Sequence, residues 1–260
     1  MPNLSRRLRL FACSAILTVL VFARAVPVAA QEAPPVSGEW QFDLTPYGWF
    51  AGLSGEVGAG SKDAPTAASF TDICHNLDSA FMAHFDGRKG RWGFLLDPIY
   101  INLGASIRTP YGFKVAINVE QFLMGFEGAY RVYEKEGNSF DVLFGGRYST
   151  LKNDLTPSGV PYPPYHFSKD WVDPMVGFRA RLDLGHGWAF GIRGDIGGFG
   201  LGSKLAWDAM AHFDVRASKS VSFNFGYAVV ATDYESGSGA GRFLYDVRME
   251  GPFMGVSFGF

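Results

Sequence analysis

Cysteine is nearly absent: Cys13 and Cys74 are the only two in 260 residues. Cys13 lies in an amino-terminal segment expected to be removed, so the mature chain keeps one thiol and no intramolecular disulfide is available to it. Charge is scarce too. Asp, Glu, Lys and Arg make up 18% of the chain, and a formal net charge of −2 gives no hint of nucleic-acid binding. After residue 30 no apolar run approaches the ~20 residues of a membrane-spanning helix. Aromatic residues, at 16%, and glycine, at 33 residues, are plentiful instead. That combination suits a β-barrel whose wall faces lipid and whose interior needs small side chains.

The amino terminus reads as an export signal. Arg6, Arg7 and Arg9 precede the apolar stretch Leu10–Phe22, and Val28-Ala29-Ala30 offers small residues for cleavage before Gln31. The apolar run is short and is followed by Arg24, which argues against a retained anchor helix. Cys13 precedes the apolar core rather than following it, unlike a lipoprotein site. Residues 1–30 are therefore predicted to be a cleaved signal peptide, 31–38 a periplasmic lead-in, and 39–260 an outer-membrane barrel.

The carboxyl-terminal stretch Gly241–Phe260 carries the fold signal. Met254, Val256, Phe258 and Phe260 alternate with Gly255, Ser257 and Gly259; upstream, Phe243, Tyr245, Val247 and Met249 alternate with Arg242, Asp246, Arg248 and Glu250. The apolar parity changes at Gly251-Pro252, where a β-bulge is expected. A strand of about twenty residues is long for a soluble sheet but fits a membrane-spanning wall. The terminal aromatic residue, Phe260 with Phe258, resembles the signature recognised by the outer-membrane barrel-assembly machinery. That machinery and outer-membrane lipid are the expected partners, with no ligand identified.

Alternation recurs along the chain. About ten strands are predicted, with eight or twelve as alternatives, in an all-β, transmembrane, antiparallel up-and-down barrel. Further parity changes fall at Pro46 and Asp97-Pro98. Connections after strands 2, 4, 6 and 8 are short, whereas 54–79 and 153–171 read as long outer loops, the asymmetry expected of an outer-membrane barrel. Trp92, Phe140, Trp188 and Phe260 would form the periplasmic aromatic girdle. Within the first long loop, Ser69–Leu77 reads as a short capped helix with Phe70, Ile73, Cys74 and Leu77 on one face, able to cap the mouth or rest on the rim. A secreted β-sandwich also alternates, but it leaves the strand length and the recurrent buried-face arginines unexplained.

With apolar residues placed outward, the lumen would hold ten acids: Asp86, Asp97, Glu127, Asp141, Asp183, Asp195, Asp208, Asp214, Asp246 and Glu250. It would hold eight arginines, at 88, 131, 147, 179, 181, 193, 216 and 248, beside His84 and His212. In residue terms the bases are Arg88, Arg131, Arg147, Arg179, Arg181, Arg193, Arg216 and Arg248. Mixed signs at alternate positions favour ion pairing across the lumen, whereas a selective pore tends to one sign. A barrel of about ten strands lies near the side-chain-filled end of the size range. A filled structural or binding barrel acting through its outer loops is the expected function; a narrow solute channel and a lipid or peptide hydrolase are the alternatives.

Leu44-Thr45-Pro46-Tyr47, the run Ala80-Phe81-Met82 to Gly90-Arg91-Trp92-Gly93, the segment Arg193-Gly194-Asp195-Ile196-Gly197-Gly198-Phe199-Gly200, and Tyr245-Asp246 with Gly251-Pro252 are similar to a family of uncharacterised Gram-negative outer-membrane β-barrel proteins. The resemblance covers nearly the whole mature chain and implies fold and location alone. His166-Phe167-Ser168 resembles the His-x-Ser arrangement of lipid A 3-O-deacylases, with Asp170 or Asp173 as a candidate acid, but a two-residue match favours an ordinary polar loop. Asp154, His166 and Asp170 sit where omptin proteases carry rim acids and histidine, without an omptin motif around them. His84 with Asp86, and His212 with Asp208 and Asp214, follow strand alternation rather than metal-ligand spacing. Arg193-Gly194-Asp195 is an adhesion tripeptide in composition, but in a strand both charged side chains point inward. No catalytic residue, cofactor or metal is expected.

Overall fold

Period-two alternation from Gln41 onward becomes one antiparallel sheet in the computed structural model, which describes residues 38–108, 112–161 and 163–260. The predicted signal peptide and residues 31–37 of the lead-in lie outside the described residues. The strands are β1 (Gln41–Trp49), β2 (Gly52–Ala59), β3 (Lys62–Ala68), β4 (Leu77–Lys89), β5 (Trp92–Arg108) and β6 (Lys114–Lys135). They continue as β7 (Asn138–Ser158), β8 (Tyr165–Gly185), β9 (Trp188–Gly197), β10 (Leu205–Arg216), β11 (Val221–Ser236) and β12 (Phe243–Gly259). One helix, α1 (Phe70–His75), lies between β3 and β4. β1 pairs with both β4 and β12, closing a ten-stranded barrel to which β2 and β3 are additions.

The turns agree with their sequences. Glu136-Gly137 and His186-Gly187 take positive φ at both residues, as tight hairpin turns matched to strand twist require. Ser69 caps α1: its hydroxyl accepts from the Asp72 amide, and the Asp72 carboxylate accepts from the Ser69 amide at 2.9 Å. Hydrogen bonds from Ser69 hold the Asp72 carboxyl below the ordinary carboxylate range. The helix is exposed and its Phe70 ring packs edge-on against Phe50 at 5.2 Å. Phe50 lies on the opposite face of its strand from buried Trp49 and Ala51, so α1 rests outside the wall and does not plug the lumen.

Three expected irregularities are not present. β12 pairs with β11 in one unbroken register from Phe243↔Ser236 to Phe258↔Val221, through Gly251 and Pro252. β5 keeps register with β6 through Asp97↔Gly125 and Pro98↔Met124. β1 pairs with β4 through Pro46↔Ala83, and its register on β12 continues into β2. At these three sites the backbone keeps its phase and the polarity of its two faces inverts instead; the register shifts fall elsewhere, at Leu77/Ser79, Arg131/Tyr133 and Asp183/Gly185. The two long loops also shrink: 54–79 contains the β2–β3 hairpin and α1, and 153–171 is mostly strand, leaving a connection of 159–164.

The inversion has a structural counterpart. β3 takes the edge of β2 above Gly52, so the outer part of β4, Leu77–Met82, pairs with β5 alone. On the other side β9 ends at Gly197, leaving β8 above Pro174 without a β9 partner among the described pairings. Two seams thus divide the outer half into two facing sheets, β3-β2-β12-β11 and β8-β7-β6-β5-β4. Their inner faces bury a common core. Tyr234, Phe243, Tyr245, Val247, Met249 and Phe253 come from one sheet; Leu123, Leu151 and Trp171 come from the other, and Trp49 joins them from the end of β1. The chain is a barrel at one end and a β-sandwich at the other.

Closure leaves the membrane-embedded backbone paired within the protein, as a lipid environment demands. Refolded protein is expected to migrate faster on SDS gels unboiled than boiled. Identical migration of both samples would contradict a closed barrel.

Candidate functional site: the lumen and its two surroundings

The wall is apolar where the lumen is charged. Phe81, Phe126, Phe144, Val176, Phe178, Phe213, Phe225 and Met254 project outward and stay well exposed. A single chain exposing this many large apolar side chains on one band would not stay dispersed in water. Around a closed antiparallel barrel, such a band is the lipid-facing surface. The chain is an integral outer-membrane β-barrel.

Its periplasmic rim carries the aromatic girdle. Trp92 packs against Tyr130 at 4.8 Å, Phe140 stacks on Phe178 at 5.9 Å, and Trp188 meets Phe213 and Phe225. Phe260 exchanges two backbone hydrogen bonds with Phe42, at 2.9 and 3.0 Å, tying the terminus into the closing seam. Phe258 lies one register step above, opposite Leu44 and Val221.

Inside, charge is arranged in tiers. Nearest the periplasm, Asp141 is 1% exposed and accepts from Arg88 at 2.6 Å, Arg131 at 2.8 Å and Arg179 at 2.9 Å. Arg179 also pairs with Asp86, and Arg181 with Asp214. Asp214 further accepts from Asn224 at 2.6 Å, and Asn224 accepts from Ser257 at 2.9 Å. The next tier centres on Arg193. Its three nitrogens donate to Asp97 at 2.6 Å, Glu127 at 2.7 Å and Asp195 at 2.8 Å. His84 Nδ1 lies 2.5 Å from the other oxygen of Asp97, while His212 Nε2 lies 3.5 Å from Asp214. Above them Arg147 donates to Asp208 at 2.7 Å and to Thr232 at 2.9 Å. Each guanidinium presents several donors in a fixed fork, which lets one side chain bridge carboxylates from different strands.

Then the interior turns aromatic. Trp171 stacks on Tyr234 at 4.1 Å across the β8–β11 seam, and Phe167 meets Phe243 at 4.8 Å. Gln121 donates to the Tyr245 hydroxyl at 2.8 Å, joining the two sheets. At the boundary sits Asp173, fully buried. It accepts from the Ser203 amide at 2.5 Å, the Ser203 hydroxyl at 2.9 Å and the Trp171 indole at 3.1 Å.

Asp246, Arg248 and Glu250, expected in the lumen, are on the outer wall. Val247 and Met249 occupy the buried face of β12, so these three must point the other way; Arg248 lies over the Trp207 ring at 5.8 Å and pairs with Glu250. Asp183 and Arg216 belong to the exposed periplasmic ends of β8 and β10, where Asp183 accepts from the Gly185 amide at 2.7 Å, and neither joins the tiers. Asp173, weighed in the sequence only as a candidate acid beside His166, was not anticipated in the interior. Its signal was parity: it shares a face with Met175, Arg179 and Arg181.

Of the candidate chemistry on the outer wall, only Asp154 and His166 come together. His166 Nδ1 lies 2.6 Å from Asp154, its direct cross-strand partner, with both side chains well exposed. Asp170 faces outward nearer the membrane, Asp173 is inside, and Ser168 forms no hydrogen bond to His166 among the described residues. Arg193 and Asp195 are both committed to the lumen network.

No family model matches the sequence, and no match is found among curated proteins. Solved structures give similar chains. The translocator domain of the autotransporter NalP from Neisseria meningitidis is 11% identical, over 97% of this chain and 95% of that one, with a TM-score of 0.44. The transport unit of the autotransporter AIDA-I from Escherichia coli is 10% identical, over 95% and 97%, with a TM-score of 0.42. Ail, the attachment invasion locus protein of Yersinia pestis, solved with a heparin analogue, is 10% identical, over 85% and 98%, with a TM-score of 0.38. The membrane placement rests on the wall's own chemistry.

Proposed function

We propose that this protein is a closed, non-enzymatic barrel that anchors a β-sandwich outside the membrane and binds through that outer half. The carrying observation is the occupied lumen, ion-paired below and aromatic above. The length of the strands supports the reading. At ~3.3 Å per residue and a tilt of about 40°, the 22-residue β6 rises roughly 55 Å, about twice an apolar band of ~25 Å. The surplus carries polar residues outward: Asn118 to Asn102 at 2.9 Å, Lys152 to Glu120 at 2.6 Å, and Asp154 with His166. A wall built only to surround a pore has no use for a hydrophobic core above the membrane.

Planar-bilayer recording tests the proposal. Wild-type protein is expected to leave the membrane current at baseline. Stable openings of general-porin size would overturn it.

A further inference from the structure

The connection Gly198–Lys204, between β9 and β10, stops at the level where the wall turns from apolar to polar: β9 ends opposite Met175, far below the outer end of β8 at Tyr165, and β10 starts opposite Asp233, just below the end of β11 at Ser236. Its backbone is unusual. Gly198, Phe199 and Gly200 take φ of 84°, 50° and 77° in succession. Glycine accepts that region freely; an aromatic residue there is strained, and such strain persists only where the surroundings impose it. Here they do. Asp173 holds the Ser203 amide and hydroxyl, Gly200 donates to Ser203 O at 3.0 Å, Leu201 donates to Gly198 O at 2.9 Å, and Gly198 donates to Pro174 O at 3.1 Å.

The outcome of this bracing is an apolar projection. Phe199 is 57% exposed, and Leu201, at 82%, is the most exposed large apolar residue of those described. Val172, Ile196 and Leu205 around them are also exposed and continue the lipid-facing band. Directly below, a groove of about 510 Å³ opens on the same wall, lined by Phe144, Val176, Phe178 and Ile196 and by the lumen carboxylates Asp195 and Asp208. A Cβ at Gly194 would meet the Phe178 ring at 3.2 Å, so glycine there keeps the groove from being crowded. The groove rises from Val142 and Phe178, beside the periplasmic girdle, to Ile196 beneath the turn, where it meets the outer leaflet.

We infer that the β9–β10 turn is a wedge seated in the outer leaflet, and that the groove beneath it holds an acyl chain of an outer-leaflet lipid. Lipid is the occupant because wedge and groove are continuous with the lipid-facing surface, and the charges they contain are paired: Lys204 with Glu235, Asp195 with Arg193 and Asp208 with Arg147. The apolar exposure of Leu201 would be costly in water and is relieved among acyl chains.

Two measurements test this. A fluorophore on Leu201→Cys, in a Cys74→Ser background and in phosphatidylcholine vesicles, is expected to be quenched by spin-labelled phosphatidylcholine. Aqueous iodide should quench it several-fold less than the same label on Ser238→Cys in the β11–β12 connection. Equal iodide quenching would overturn the wedge, and protection from iodide without lipid quenching would overturn it in favour of a protein partner. For the groove, native mass spectrometry of barrel purified from native membranes should count several-fold more retained lipid for wild type than for Ile196→Trp, which fills the space. Retained heat-modifiable migration identifies the variant as folded, and equal lipid retention by that folded variant would overturn the acyl-chain site.

Discussion

Arg193→Ala is expected to lower the temperature at which the unboiled barrel converts to the unfolded band and to let ions through a barrel that otherwise holds the baseline. Among the described residues, the guanidinium is the only group bonded to all three of Asp97, Glu127 and Asp195. Removing it leaves three carboxylates facing one another with little water to separate them. Breaking a buried pair by removing one partner costs about 3–5 kcal/mol, because the remaining charge is uncompensated. Relief comes from protonation, water entry or separation of the strands, and the last two open a path. Arg193→Lys keeps the charge but loses the fork, so it should fall between wild type and alanine. Arg248→Ala is the control. Its side chain lies on the outer wall, and its loss should leave conductance at baseline. Unchanged stability and conductance for Arg193→Ala would remove the ion-pair tier from the account of closure.

Deleting Phe260 is expected to deplete the protein from the outer membrane far more than its packing explains. A single buried aromatic contributes about 1.5–3 kcal/mol, and Phe260 is 71% exposed. What the deletion also removes is the backbone pair with Phe42 at the seam where β1 meets β12. That seam continues from Asp43↔Gly259 to Trp49↔Phe253, and the deletion frays its periplasmic end. Phe260→Asp should behave like the deletion, since a carboxylate at that position faces the membrane boundary. Phe258→Ala should show the same direction with a smaller effect. Quantitative blotting of outer-membrane fractions reads the result, and normal levels of the deletion would show that the terminal aromatic is incidental to assembly.

Much of this molecule was legible in the sequence. Strand alternation, short turns such as Lys135-Glu136-Gly137-Asn138, the Ser69 cap and the terminal aromatic each report local chemistry, and local chemistry survives into the fold. The deeper lumen residues followed as well: Asp141, Arg179 and Arg193 lie in stretches whose other face is apolar. Alternation, however, states only which residues share a face. Which face is inside depends on the solvent outside. In the membrane that solvent is lipid, so Phe144 and Val176 point out; above it the solvent is water, so Val247 and Met249 turn in while Asp246, Arg248 and Glu250 turn out, with no change in the backbone. The apparent phase breaks at Pro46, Pro98 and Pro252 mark that change of solvent. Only the tertiary structure decided where it falls, because the ladder across β11, β12 and β2 sets the height of every residue against its neighbours. The same long-range pairing split the outer half into two sheets, brought Trp171 onto Tyr234, and placed Asp173 where it braces a turn thirty residues away.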